Sequence, residues 1–328
     1  MELSTIYKSV HDELSEVENQ FKLIVESQHD AFPALYEMLS HILIGGKIIR
    51  PALNLLAGKF YNYNPAKLLP MATASELLHI ATLIHDDAID KSDVRRWRET
   101  INKIWGEDKA ILLGDYLFAK AGEFSTATDN VRAVKLFTQT LAAISQGELR
   151  QSFDAFNLKQ TREDYIQRIS GKTAALFSMA TETGAILSDA PEESIEILGE
   201  YGYNLGIAFQ IVDDILDFTG SEEEMGKPIG SDLAQGTLTL PSMLLLEHYP
   251  EDNPVQSLFE PELWKIGDKQ EHIKHAIELI RNSSIAQECH SIASDYCARA
   301  YRNLDRLPDD SNRQALVELA HYVTDRTR

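Results

Sequence analysis

Apolar residues recur along this chain at three- and four-residue spacing, with charged residues between them. Leu14, Val17, Phe21 and Ile24 form one such stripe, and Leu35, Met38, Leu39 and Ile42 form a second, so residues 5–43 predict two outer helices. Gly45-Gly46 interrupts the pattern, and Lys47-Ile48-Ile49-Arg50-Pro51 opens another apolar helix through Leu53, Leu55 and Leu56. A helix over Ala72 to Asp90 follows. Beyond Pro241 the periodicity predicts helices over 242–248, 268–306 and 311–325, joined by turns at Pro250, Pro254, Pro261 and Pro308.

The helix over Ala72 to Asp90 and a second, largely apolar run that also reads as helix end in the same acidic pattern. Leu83-Ile84-His85 leads into Asp86-Asp87-Ala88-Ile89-Asp90, and Phe209-Gln210-Ile211-Val212 leads into Asp213-Asp214-Ile215-Leu216-Asp217. At 3.6 residues per turn the first and last carboxylates of each run share a face, with the middle one alongside. Either run alone is readily a solvated face or a partner for a helix dipole. Two runs, each behind an apolar stretch that anchors it in a core, point elsewhere: clustered carboxylates against an apolar wall need cations. Oxygen ligands without accompanying Cys or His suit magnesium, which binds through one or two carboxylates plus substrate phosphates.

Composition narrows the options. The 328 residues are 44% hydrophobic and 25% charged, ordinary for a globular protein, and a single large helical domain over 1–328 accommodates them without a linker. No wholly apolar run reaches the roughly 18 residues of a membrane span, which predicts no integral membrane segment. The N-terminal residues show no basic-then-apolar signal, so the expected location is cytoplasmic. A net charge of −20 argues against nucleic acid as a partner. Any anionic substrate must then be met by local cations. Cys289 and Cys297 lie about 12 Å apart along one predicted helix, too far for a disulfide between them, and are expected as two thiols in a reducing compartment.

Such local cations are present. Lys47 and Arg50 share one end of an element, and Lys91, Arg95, Arg96 and Arg98 follow the first acidic run directly. Arginine forks match phosphate oxygens well. His79, seven residues before Asp86, lies near the same helix face, although a single His on an apolar helix is more often a satisfied core residue than a ligand.

In order and spacing these blocks resemble the all-trans isoprenyl diphosphate synthases, or polyprenyl synthetases. The blocks are Gly45-Gly46-Lys47 with Arg50-Pro51, the first acidic run with Arg95-Arg96, Gly114-Asp115-Tyr116-Leu117, Gln146-Gly147-Glu148, Gly171-Lys172-Thr173, Phe209-Gln210 with the second acidic run, and Gly226-Lys227-Pro228. The resemblance implies an all-α fold, a single helical bundle around a large central cavity. It also implies a magnesium-dependent condensation of isopentenyl diphosphate with an allylic prenyl diphosphate, with three ions per site. Asp86, Asp87 and Asp90 would hold ions on the allylic diphosphate, and Asp213, with Asp214 and Asp217, a further one. Lys47, Arg50, His79 and Arg96 would bind isopentenyl diphosphate, while Arg95, Lys172, Thr173, Gln210 and Lys227 would line the allylic substrate. A homodimer is implied in the same way, and a catalytic subunit that needs a small regulatory partner is the alternative.

The chain departs from the family pattern at three places. Ile48 stands where an Arg is usual, Trp97 where a Gly is usual, and Thr237 where a second Lys is usual. In this family bulky aromatics four or five residues before the first Asp stop product growth. Here those positions are the small Thr82 and Ala81, and Leu78 is the next barrier, about 5.4 Å deeper. The expected product is therefore geranylgeranyl or longer, leaning to a medium chain such as hexaprenyl or heptaprenyl. A rival expectation comes from Glu76-x-x-His79 and Glu318-x-x-His321, the spacing of carboxylate di-iron bundles. It leaves both acidic runs and every basic block unexplained. Finally, Arg326 and Arg328 near the C-terminus are either solvated or a cover for the diphosphate site.

Overall fold

The computed structural model describes residues 3–44, 46–221, 228–260 and 268–326, and its architecture is all-α. Among the described residues the only sheet is a two-residue hairpin, Val94–Arg95 against Arg98–Glu99. The two predicted outer helices are His11–Glu26 and Pro33–Ile42. The first acidic helix runs over Pro65–Ile89, one and a half turns or more earlier than the apolar pattern alone places it. Asn64 accepts a hydrogen bond from the Ala66 amide and Pro65 fills the first helical position, a start signal that lies outside the apolar stripe. The predicted 268–306 helix is two helices, Asp268–Arg281 and Ile285–Tyr301, separated at Asn282-Ser283-Ser284, where short polar side chains compete for backbone groups.

The helices that matter for function meet at Ala175–Leu187, which is buried along most of its length. It packs on Ile49–Gly58, on the first acidic helix Pro65–Ile89, and on the second acidic helix Glu192–Thr219. One close approach is sealed by a polar clamp: the fully buried Asn54 amide donates to Ala180 O and to Thr183 Oγ1, both at 3.0 Å. Among the described residues, the larger of two apolar cores surrounds this junction. The smaller one gathers the C-terminal half of the second acidic helix with Leu240–His248, Pro254–Leu258, Asp268–Arg281 and Ile285–Tyr301.

Pro65–Ile89 is long and apolar enough to cross a membrane by length and composition, contrary to the expectation from contiguous apolar runs. Its place is in the fold, where 67% of its most apolar window is buried. Apolar residues all round a helix mark a position in the core of a large bundle. Cys289 and Cys297 are both free and buried.

Asn54→Ala removes two buried donated bonds and opens a small void at this junction. It should lower unfolding free energy by about 2 kcal/mol in urea titrations, with the m-value unchanged.

Candidate active site

Both acidic runs end their helices. Asp86 and Asp87 lie in the last turn of Pro65–Ile89 with Asp90 as its C-cap, and Asp213, Asp214 and Asp217 lie in the last two turns of Glu192–Thr219. A helix C-terminus carries partial negative charge, so dipole stabilisation is ruled out as the reason for these carboxylates. They are placed against the local field, beside buried surface, and the structure answers with cations.

Asp87 is 4% exposed and receives Arg95 Nε at 2.8 Å. Lys172 Nζ stands 3.6 Å from Asp86 and 2.8 Å from Glu148, with Gln151 Oε1 at 3.4 Å. Arg326 reaches Asp213 at 2.7 Å. Burial raises the Asp87, Asp90 and Glu148 carboxyls above their ordinary range, opposed by Arg95 or Lys172 and reinforced by the neighbouring carboxylates. Burial works against the Lys172 ammonium, yet Asp86, Glu148 and Asp90 together hold it above its usual range.

The first run does not form a closed cage. Among the described residues no three acidic, His or Cys side chains already converge on one point. Two separate cations, Arg95 and Lys172, draw on different carboxylates of the run that helical spacing places on one side. An open set of this kind fits an ion that keeps waters and takes further oxygens from a phosphate, as magnesium does.

The second run divides differently from the set of three ligands expected of it. Asp214 accepts from Tyr165 Oη at 2.7 Å and from Gln210 Nε2 at 2.8 Å, and burial beside Asp232 pushes its carboxyl up to about 7. Asp217 is 1% exposed and accepts from Ser231 Oγ and the Asp232 amide, holding the start of the Ser231–Ala234 turn. Asp213 is the half-exposed member. Each oxygen of Asp214 and Asp217 thus already accepts a hydrogen bond inside the protein.

Lys172 and Thr173, consecutive in the chain, join the two helix ends. Lys172 pairs with Asp86 on the first, and Thr173 Oγ1 donates to Gln210 Oε1 at 2.6 Å on the second. They sit in a single π turn, Ser170–Ala174, a local widening that re-aims side chains and is frequent at functional sites. The crossing beneath it needs glycine on both sides. A Cβ on Gly171 would meet Ala143 O at 2.8 Å, and one on Gly147 would meet the Lys172 amide nitrogen at 2.8 Å.

A basic cluster adjoins the acidic one. Arg50 is 8% exposed, its guanidinium lies 4.9 Å from the Phe177 ring centroid, and burial lowers its pKa to about 10 while Glu76 and Asp213 support the charge. Burial, then Arg50, Arg96 and Arg95, keep His79 well below its ordinary range, so its imidazole is neutral among arginines. Glu76 is buried beside Arg50 and Arg96. Neither Arg50 Nε nor Glu76 Oε2 has a partner. An arginine-lined imidazole is a poor iron ligand, while Glu318 bonds to exposed Gln314 and His321 lies at the surface. The two Glu-x-x-His segments therefore do not build a di-iron site.

Lys47 is exposed, and its ammonium lies 5.7 Å from the Tyr322 ring centroid. Ala81 and Leu78 are fully buried, and half-buried Thr82 donates to His79 O. Gly45, Gly226, Lys227 and Arg328 lie outside the described residues. Each sequence departure has a local outcome. Ile48 takes a left-handed φ of 38° and packs on the larger core. Thr237 is half-buried in a turn closed by its amide on Asp232 O, so that position supplies no cation. Arg96 and Trp97, at φ 49° and 66°, form the two-residue turn of the hairpin, a left-handed pair that favours Asn and Gly.

Tyr165, Glu148, Gln151 and Arg281 join the site without being among the site residues that the sequence predicts. Arg281 donates to Phe218 O and Gly220 O, capping the second acidic helix. Glu148 had a signal, the Gln146-Gly147-Glu148 block; the others had none, because each acts on a partner at least 21 positions away.

The model of the polyprenyl synthetase family matches residues 32–280. Heptaprenyl diphosphate synthase component 2 of Bacillus subtilis is 35% identical over 324 residues, covering 98% of this chain and 90% of the relative. Among solved structures, heptaprenyl diphosphate synthase from Staphylococcus aureus superposes with a TM-score of 0.90 at 34% identity, covering 97% of this chain and 99% of the other. A polyprenyl synthase from Caulobacter crescentus, crystallised with calcium and isoprenyl diphosphate, gives 0.91 at 30% identity, covering 100% and 98%.

Trp97 is 64% exposed, so its side chain gains little from the strained turn it occupies. Trp97→Gly should raise unfolding free energy by about 1 kcal/mol, measured by chemical denaturation. With acidic helix ends, paired cations and a basic cluster around His79 arranged on this all-α frame, the chain belongs to the polyprenyl synthetase family of trans-prenyltransferases.

Proposed function

We propose that this chain condenses isopentenyl diphosphate with an allylic prenyl diphosphate, with magnesium, to give an all-trans polyprenyl diphosphate of geranylgeranyl length or longer. The observation that carries this reading is the triple pairing of acidic helix ends with internal cations, Asp87 with Arg95, Asp86 with Lys172 and Asp213 with Arg326. Such pairs are ready to be exchanged for metal on one side and phosphate on the other. The calcium and isoprenyl diphosphate named with the Caulobacter structure support the same chemistry.

In this reading Asp86, Asp87, Asp90 and Asp213 hold the ions, three being the expected number, with Asp214 and Asp217 bracing the second helix end from inside. Magnesium supplies positive charge to the departing diphosphate. Arg95 and Lys172, released from their carboxylates, bind the same diphosphate and stabilise the charge that grows as the allylic carbon–oxygen bond ionises. Lys227 would join them. Thr173 and Gln210 fix the floor beneath.

Arg50 and Arg96, with Lys47 at the rim, hold isopentenyl diphosphate, and neutral His79 donates a hydrogen bond without adding a fourth repelling charge. Its double bond attacks the allylic cation, and the proton lost afterwards goes to the released diphosphate. Apolar walls around Leu78, Ala81 and Phe177 keep water from the cation. The small Ala81 and Thr82 leave room for a product of medium length.

A second reading makes this chain the catalytic subunit of a two-component enzyme. It is favoured by the name of the Bacillus relative, a component 2, and by apolar side chains left at the surface, among them Ile111, Leu112 and Phe153. The same exposed residues on Glu107–Thr126 would serve a homodimer. Two free buried thiols support a cytoplasmic location.

Purified chain incubated with magnesium, isopentenyl diphosphate and farnesyl diphosphate should give a ladder of products ending at one length and abolished by chelator. No product from folded protein alone, with product on adding a small partner subunit, would establish the second reading. Ala81→Phe, or Thr82→Phe at its half-buried neighbour, should shorten the final product by at least one five-carbon unit in mass analysis. An unchanged product distribution from folded variants would remove these positions from length control.

A further inference from the structure

Arg326 follows the last helix, Ser311–Asp325, and is more deeply enclosed than a basic residue near a chain end has reason to be. Its side chain is 5% exposed. One guanidinium nitrogen lies 2.7 Å from Asp213 Oδ1 and donates to Phe209 O at 2.5 Å, and the guanidinium carbon is 3.7 Å from the Phe209 ring centroid. Its Nε has no partner. The residue is therefore held by one carboxylate, one carbonyl and one aromatic face, with a donor left over. A solvated basic tail satisfies all its donors with water.

The helix that delivers it is well seated. Tyr201 Oη donates to Leu316 O, Cys297 Sγ to Ala320 O, and Ser9 Oγ to Asn312 Oδ1. Tyr322 of the same helix lies under the Lys47 ammonium. Asp213 is also within electrostatic reach of Arg50. Two cations thus stand at the second-run carboxylate that is free to turn outward, and one of them bonds to it directly.

We propose that Arg326 is a resident counter-ion of Asp213, occupying the place of a divalent cation until one arrives, so that metal entry at the second acidic run and release of Arg326 are one exchange. This rests on the reading of Asp213 as a metal ligand. Before exchange the ion pair neutralises a carboxylate set against the helix dipole. After exchange the guanidinium is no longer paired and leaves the carboxylate. Arg326 acts through Asp213 and is a positioning residue.

The test is calorimetric titration of magnesium, with and without inorganic diphosphate, into wild-type protein, Arg326→Gln and Arg326→Lys. Without diphosphate, Arg326→Gln should bind one magnesium ion about tenfold more tightly than wild type, since no charged hydrogen bond has to be displaced. Arg326→Lys should return towards wild type. Equal affinities in wild type and a folded Arg326→Gln would overturn the exchange.

A second measurement needs no substitution at Arg326. Trypsin should cut the Arg326–Thr327 bond slowly in metal-free wild type, and at least fivefold faster with magnesium and diphosphate. In Asp213→Asn it should cut fast from the start. Fast cleavage of Asp213→Asn, together with a wild type that binds no magnesium, would show the ion pair to be real and both the metal reading and the exchange to be wrong. Magnesium binding without any change in cleavage would overturn the exchange alone.

Discussion

Carboxylates at a helix C-terminus, partly withdrawn from water, are the constraint on which this structure turns. Each of the two acidic runs adds charge where the peptide dipoles already point negative, and burial raises Asp87 and Asp90 further. The fold tolerates this because it brings a cation to Asp87, Asp86 and Asp213, each from a different part of the chain. Arg95 comes from the hairpin, Lys172 from the π turn and Arg326 from the end of the last helix. None is local to its partner by helical spacing. The ion pairs therefore bind distant segments to the site, and anything that satisfies the carboxylates otherwise sets those segments free.

Holding those cations in place is the work of close packing. The glycine crossing at Gly147 and Gly171 seats the π turn, and the chain Thr173–Gln210–Asp214–Tyr165 runs from that turn into the second core. Asp214 is spent inside this chain, with its carboxyl held up to about 7, and Asp217 on the Ser231–Ala234 turn. Three aspartates in one run thus do two jobs. One faces outward, and two fix the backbone that presents it.

The acidic runs, the basic blocks and the helical class were legible because each is local: spacing along a helix, or charge beside charge. What was not legible depends on partners far along the chain. Helical spacing fixes Asp213, Asp214 and Asp217 relative to one another but says nothing about Tyr165 or Ser231, which decide the direction each faces. The same limit hid the break at Asn282-Ser283-Ser284, where periodicity continues on both sides. Trp97 illustrates the converse. Its side chain gives no turn signal, yet Val94–Arg95 and Arg98–Glu99 pair in a register that leaves two residues for the turn, so the backbone goes left-handed without glycine.

The charge arithmetic of the site has a consequence for how ligands enter it. With no ligand, Asp86, Asp87 and Asp213 are each paired with a protein cation. Metal alone would satisfy the carboxylates but strand Arg95 and Arg326 and leave Lys172 with Glu148 alone. Diphosphate alone would attract those three cations but strand the carboxylates. A charge left without its partner is destabilised, less at the half-exposed Arg95 and Asp213 than at the buried Asp87 and Arg326, so either ligand entering alone works against an internal penalty that the other removes. On the proposed reading, metal and diphosphate are therefore bound as a unit and with positive coupling, each raising the affinity for the other by the same factor. A chain of net charge −20 can in this way hold a highly charged anion.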